Sequence, residues 1–227
     1  VVYLNAVSFL LSAVLLLFVP RGVAPAPGGQ EHGGYRTLLR DRPYLLLIAV
    51  NTVFALCSIF VGVAIPVYLI DGLSAPAWLV GPLLAANTVL LASGQRLAVR
   101  LVRPLSRARS LVLAGGLWVL WAVVYAAAVR VPAGALVPYL LLGMIFYAAA
   151  DLIHAPLSNA LSSAAAPPAQ RGRYLAVYQY TFAFANVLAP AFFTGLYAYG
   201  PSLPWLALAL VAAAASAVMW TLDAPLA

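Results

Sequence analysis

The chain has 227 residues, 65% of them hydrophobic, a formal net charge of +7 and a mean hydropathy of +1.02. Only 7% of the residues are charged, against about a quarter in water-soluble domains, which excludes a soluble globular domain. The positive balance comes from twelve arginines and no lysine, placed at the ends of apolar runs, a distribution that suits lipid headgroups and not nucleic acid.

The apolar runs persist for roughly twenty residues without alternation, the length of a membrane helix and about twice that of a barrel strand. Val1–Val19 is expected to span the membrane; a signal peptide would need a basic start and a small-residue cleavage site, and neither is clear. The absence of a Met at position 1 suggests that the beginning has been trimmed. Residues 22–34, rich in Gly and Pro, read as a flexible linker. Further spans are predicted over Tyr44–Ile70, with Pro43 suited to its start, and over Ala77–Gln95, Ser110–Val129, Leu136–Ser163, Tyr174–Tyr197 and Trp205–Leu222. The fifth of the seven spans is expected to be broken in character by Pro138 and Pro156, and residues 96–109 to form a loop. Trp78 and Trp205, near span starts, read as interface anchors, and Gly62 and Gly115-Gly116 as close-packing positions. The fold class is therefore all-α, a polytopic bundle of about seven spans, divided as 1–19 (first span), 20–43 (cytoplasmic linker), 44–222 (six-helix bundle) and 223–227 (tail).

Alternating loops face alternate sides. Loops 20–43, 96–109 and 164–173 carry Arg21, Arg36, Arg40, Arg42, Arg96, Arg100, Arg103, Arg107, Arg109, Arg171 and Arg173, whereas the opposite loops carry Arg130 alone. The positive-inside rule places the arginine side and the C-terminus in the cytoplasm of a multi-pass cell-membrane protein.

Seven spans invite comparison with a retinal protein, but without lysine there is no Schiff base. One helix, a long linker and six closely connected helices form a different plan, which resembles the C-terminal half of a major facilitator superfamily transporter preceded by the last helix of the N-terminal half. Two motifs carry the resemblance: the basic loop Gly94–Arg109, with Arg103, Arg107 and Arg109, and the sequence PPAQRGRY at 167–174 followed by a helix with Asn186 and Pro190, similar to exporter-like members. The loop lacks the acidic residue and second glycine of the family pattern. The resemblance implies about five helices missing upstream, an N-terminal half as partner, and cavity-lining roles for the second, third, fifth and sixth spans, with the fourth and seventh peripheral. It also implies alternating access, in which Arg100, Arg103, Arg107, Arg109, Arg171 and Arg173 gate the cytoplasmic side or fix topology. Such arginines can bond the last carbonyls of a helix and favour its negative dipole end.

Polar groups inside a membrane helix are costly and face a cavity or a partner. Tyr147, Asp151, His154 and Ser158 are spaced 4, 3 and 4 apart and share one helical face. Gln179, Ala183, Asn186 and Pro190 share another; Asn51 and Ser58 lie in the second span, Asn87 and Thr88 in the third, and Tyr178 opens the sixth. Asp151 and His154 are the candidates for proton coupling, with His154 stabilising or relaying for the carboxyl, and Asn51, Ser58, Asn87, Thr88, Tyr147, Tyr178, Gln179 and Asn186 are candidates for a cavity that takes a small organic solute. A metal site would need more ligands than Asp151 and His154, Cys57 has no intrachain partner, and no nucleotide-loop, zinc-protease or catalytic-triad motif marks an enzyme or a cofactor. The expected function is secondary transport, with proton-coupled efflux as its specific form. The alternative is a non-transporting scaffold or truncated pseudo-transporter.

Overall fold

A computed structural model describes Leu11, Ser12, Val14 and Leu15 in one unit, 1–32, and residues 35–222 in the other. The four residues of the first unit are helical and exposed; the rest of the expected first span, the linker through residue 34 and the tail 223–227 lie outside the described residues.

Six long helices make up the second unit: α1 (Arg42–Val67), α2 (Val80–Val102), α3 (Arg107–Ala127), α4 (Ala133–Ala165), α5 (Arg171–Tyr197) and α6 (Leu203–Thr221). The start of α1 is fixed by Asp41, whose Oδ1 accepts the Tyr44 N–H at 3.1 Å, with Pro43 in the first turn where no donor is needed. Beyond Pro66 the helix relaxes into a π-helical turn, Tyr68–Gly72. Ser106 caps α3 by accepting the Arg109 N–H at 3.1 Å.

By length and apolarity, five segments can cross a membrane: Arg42–Gly72, Ala77–Val102, Arg107–Arg130, Ala133–Ala165 and Leu203–Thr221. Five among the described residues, not the seven expected, meet that test. The first span falls outside them, and α5, although 27 residues long, carries Arg171, Arg173, Gln179, Asn186 and several tyrosines. The protein is an all-α polytopic membrane bundle.

Hydrogen bonds between helix ends fix which turns share a side. Tyr44 at the start of α1 bonds Ser162 near the end of α4 (2.9 Å) and donates to the Tyr174 carbonyl at the start of α5 (2.6 Å). At the other end Tyr68 donates to the Tyr125 carbonyl, Tyr125 to the Leu140 carbonyl at 3.2 Å, and Ser202 to the Ala126 carbonyl at 2.8 Å. Arg40, Arg42, Arg171 and Arg173 therefore lie at the first end and Arg130 at the second. The α2–α3 turn joins the first end, because Arg103 and Arg107 border the same cavity as Pro156 and Leu157 in the later turns of α4.

Helix packing pairs α3 with α4 and α6, α1 with α5 and α6, and α2 chiefly with α4. Only 17% of the apolar window of α2 is buried, against 56% for α1, so α2 is the helix that the rest of the bundle covers least.

Four expectations change. Residues 96–102 belong to helix α2, where Ala98 and Val102 are buried, so the loop shrinks to 103–106, with Pro104 just beyond the helix end. Helix α4 runs through both Pro138 and Pro156; neighbouring helices make such prolines tolerable within a membrane bundle. Trp205 is fully buried and no anchor, its ring 5.2 Å from Phe60 and 4.9 Å from Tyr125, whereas Trp78 is exposed. Of Gly62, Gly115 and Gly116, only Gly115 is a close-packing position: a Cβ there would lie 2.9 Å from Phe54, but Gly62 and Gly116 have open space.

Candidate functional site

The face of α4 predicted from spacing becomes one side of a polar seam joining α1, α4 and α5. Its first part is centred on Asp151, whose Oδ1 accepts the Ser58 hydroxyl at 2.6 Å, while Tyr147 donates to the Ser58 carbonyl at 2.5 Å. Asp151 and Ser58 are half-buried and Tyr147 is buried.

The second part lies three residues further along α4 and is buried. His154, 1% exposed, meets Asn51 Oδ1 through Nε2 at 2.9 Å, and Asn51 Nδ2 donates to Thr181 Oγ1 at 2.7 Å. Thr181 in turn donates to the Tyr178 carbonyl at 2.7 Å, and the Tyr178 and Ser158 hydroxyls meet at 2.8 Å. This order assigns the histidine tautomer. Thr181 spends its one proton on Tyr178, so it must accept from the Asn51 amide; the Asn51 oxygen then faces His154, and Nε2 carries the hydrogen. Phe54 and Trp118 pack on the imidazole with centroids at 5.8 and 5.0 Å.

Asp151 and His154 therefore do not form the pair anticipated from their spacing: each bonds a different residue of α1. Of the cavity candidates, the seam unites Asn51, Ser58, Tyr147 and Tyr178. Gln179 and Asn186 sit on the exposed face of α5 beside Tyr180, Phe184 and Val187, and Asn186 donates to the Phe182 carbonyl of its own helix at 2.9 Å. Thr88 is exposed and bonds back to Leu84, and Asn87, buried on α2, leaves its Oδ1 without a hydrogen-bond partner.

Sequence reasoning missed Thr181, which looks like one more small residue in an apolar helix. It also missed the knot at the arginine end, where Asp41 Oδ2 accepts the Tyr174 hydroxyl at 3.1 Å and the Tyr44 and Tyr174 rings stand 4.4 Å apart. The available signal was a tyrosine at the start of two spans in the same relative place.

The arginines divide by helix end. Arg100 lies in the last turn of α2 and Arg103 just beyond it, where a cation complements the helix dipole. Arg107, Arg109, Arg171 and Arg173 lie in the first turns of α3 and α5, where the dipole disfavours a cation. Helix-end stabilisation thus accounts for Arg100 and Arg103 only. Among the described residues no cluster of three or more His, Cys, Asp or Glu side chains could hold a metal.

Membrane-length helices held together by interhelical polar contacts define a multi-pass integral membrane protein. The sequence model of the Major Facilitator Superfamily matches residues 1–190, and the chain belongs to that superfamily. A comparison with curated proteins gives no match. Membership makes the chain part of a family of membrane permeases, with a function in transport and not in catalysis.

Proposed function

We propose that the chain is the C-terminal helical half of a permease, preceded by the last helix of the N-terminal half, and that the permease moves a small organic solute outward by alternating access. Proton entry drives the cycle through Asp151, and the arginine end and the C-terminus face the cytoplasm. One observation carries this reading: Asp151, near the middle of α4, is held by Ser58 of α1 yet remains only half-buried. A carboxylate only accepts hydrogen bonds, but a protonated carboxyl also donates. Protonation therefore changes what Asp151 offers Ser58, one of several ties between α1 and α4. A carboxyl between helices that gains water access on alternate sides can load and release a proton in turn.

The exposed α5 face fits the side turned to the other half. Tyr180, 62% exposed, and Phe184, 69% exposed, are the aromatics there that a solute could stack on, since Tyr147 and Tyr178 are committed to the seam. His154, buried and tied to Asn51, belongs to the structural part of the seam.

The test is Asp151→Asn in the full-length permease, which keeps size and hydrogen bonding but cannot titrate. Everted membrane vesicles are energised with a pH gradient, and uptake of a panel of amphiphilic aromatic cations is followed. The variant is expected to bind solute and fold normally while losing gradient-driven accumulation. Undiminished accumulation removes Asp151 from the coupling, and loss of the folded protein assigns it a structural role.

A further inference from the structure

The bundle carries a groove that the polar seam does not use. Two cavities between α2, α3 and α4, of about 240 and 350 Å³, share Ala98, Leu152 and Ile153 among their lining residues and so adjoin one another along a slot. It exists because α2 packs chiefly on α4 and not on α3, the next helix in the chain. The contact with α4 is close: a Cβ at Gly94 would come 2.6 Å from Leu152, which seals the floor. The deeper cavity is walled by Leu90, Leu97, Leu113 and Leu117, and Leu97 and Leu113, exposed on its rim, leave it open sideways. The shallower cavity ends between Arg103 and Arg107 at the α2–α3 turn.

Along α2, Leu90 to Arg103 spans about 20 Å at helical rise, somewhat more than the roughly 15 Å depth of one leaflet's hydrocarbon. The slot therefore runs from the headgroup level toward the bilayer centre, with cations at its mouth and apolar walls beneath. Among the described residues neither Arg103 nor Arg107 has an acidic partner.

We infer that this groove seats an anionic phospholipid, with one acyl chain lying between α2 and α3 and the phosphate held across Arg103 and Arg107. Guanidinium groups bond phosphate oxygens through paired N–H donors, which suits two arginines on a short turn. The tail exchanges one apolar environment for another and gains little by transfer, so the choice among lipids rests on headgroup charge. A sideways opening toward the membrane favours a lipid over a soluble anion of the same chemistry. The inference needs only that the bundle lies in a bilayer, and it stands or falls separately from the role of Asp151.

The test uses the full chain, purified and reconstituted in nanodiscs of mixed phosphatidylglycerol and phosphatidylcholine. Lipids retained after release from the disc are counted by native mass spectrometry. The wild-type protein is expected to retain phosphatidylglycerol preferentially. Arg103→Gln with Arg107→Gln should cut that preference roughly 25-fold, about fivefold for each cation near the surface. Arg96→Gln with Arg100→Gln removes the same charge outside the groove and should leave the preference in place. Ile145→Trp, at a half-exposed position on the groove wall, should evict the lipid although both arginines remain. The inference is overturned if the two double variants lose equally, since diffuse charge then explains the preference. It is also overturned if Ile145→Trp keeps its lipid, or if inorganic phosphate displaces phosphatidylglycerol.

Discussion

Asn51→Ala removes the residue that ties three helices together. Its side chain is 2% exposed, takes the His154 Nε2 hydrogen at 2.9 Å and donates to Thr181 at 2.7 Å, so α1 loses its polar links to both α4 and α5 at this level. Interhelical hydrogen bonds in membrane proteins contribute about 0.6 kcal/mol on average and up to about 1.7 kcal/mol each. The substitution also strands the His154 N–H among Phe54, Trp118 and Phe182, where a polar group left unpaired costs about 1–3 kcal/mol. The expected destabilisation is therefore about 2–4 kcal/mol. Unfolding in mixed micelles of rising denaturing-detergent content, followed by helical circular dichroism, measures it. Thr181→Ala breaks only one arm and should cost about 1 kcal/mol, and the double variant should cost less than the two single changes combined, because they share a bond. A cost for Asn51→Ala under about 0.5 kcal/mol, in the range of ordinary surface substitutions, would refute the idea that the seam holds these helices together.

Tyr44→Phe, which loses the bonds to Ser162 and to the Tyr174 carbonyl, should cost about 1–2 kcal/mol in the same titration, and an unchanged midpoint would show that the knot at the arginine end contributes nothing. Gly115→Ala drives a methyl group against Phe54 and Ser216 and should destabilise by about 1–3 kcal/mol. Gly62→Ala enters open space and should be neutral or slightly stabilising, so equal losses at the two glycines would contradict the packing described. In a chain whose buried Cys57 is replaced by Ala, single cysteines at exposed Leu105 and Tyr199 report orientation: an impermeant reagent added to intact cells should label 199 and spare 105, and the reverse pattern would invert the topology.

Segment boundaries were legible because a bilayer imposes them: apolar stretches must be long, and Pro, Gly and Arg gather where they end. The predicted 44–70, 110–129 and 174–197 lie within a few residues of the observed helices, and the principal miss was the end of α2. There the arginines suggested a loop, but Arg96 and Arg100 simply project from a helix whose other face packs inward through Ala98 and Val102. Spacing likewise grouped Tyr147, Asp151, His154 and Ser158 correctly on one face of α4, since helical periodicity is a local property.

Partners are not local. Nothing in the spacing of Asp151 and His154 indicates that Ser58 faces one and Asn51 the other, a choice made by how α1 crosses α4. The same holds for α5: Tyr178 and Gln179 are adjacent in sequence, yet one is buried in the seam and the other exposed, because a helix turns each successive side chain by about 100°. Trp205 reads as an anchor from its place in the chain and is a core residue because α1 and α3 enclose it. By itself the sequence determined that the chain lives in a membrane, where most helices begin and end, and which side of each turn is basic, since solvent and bilayer act on every segment independently. Tertiary structure decided which polar groups pair and which stay open, and where a gap is left between α2 and α3, since those depend on how helices far apart in the chain come to rest against one another.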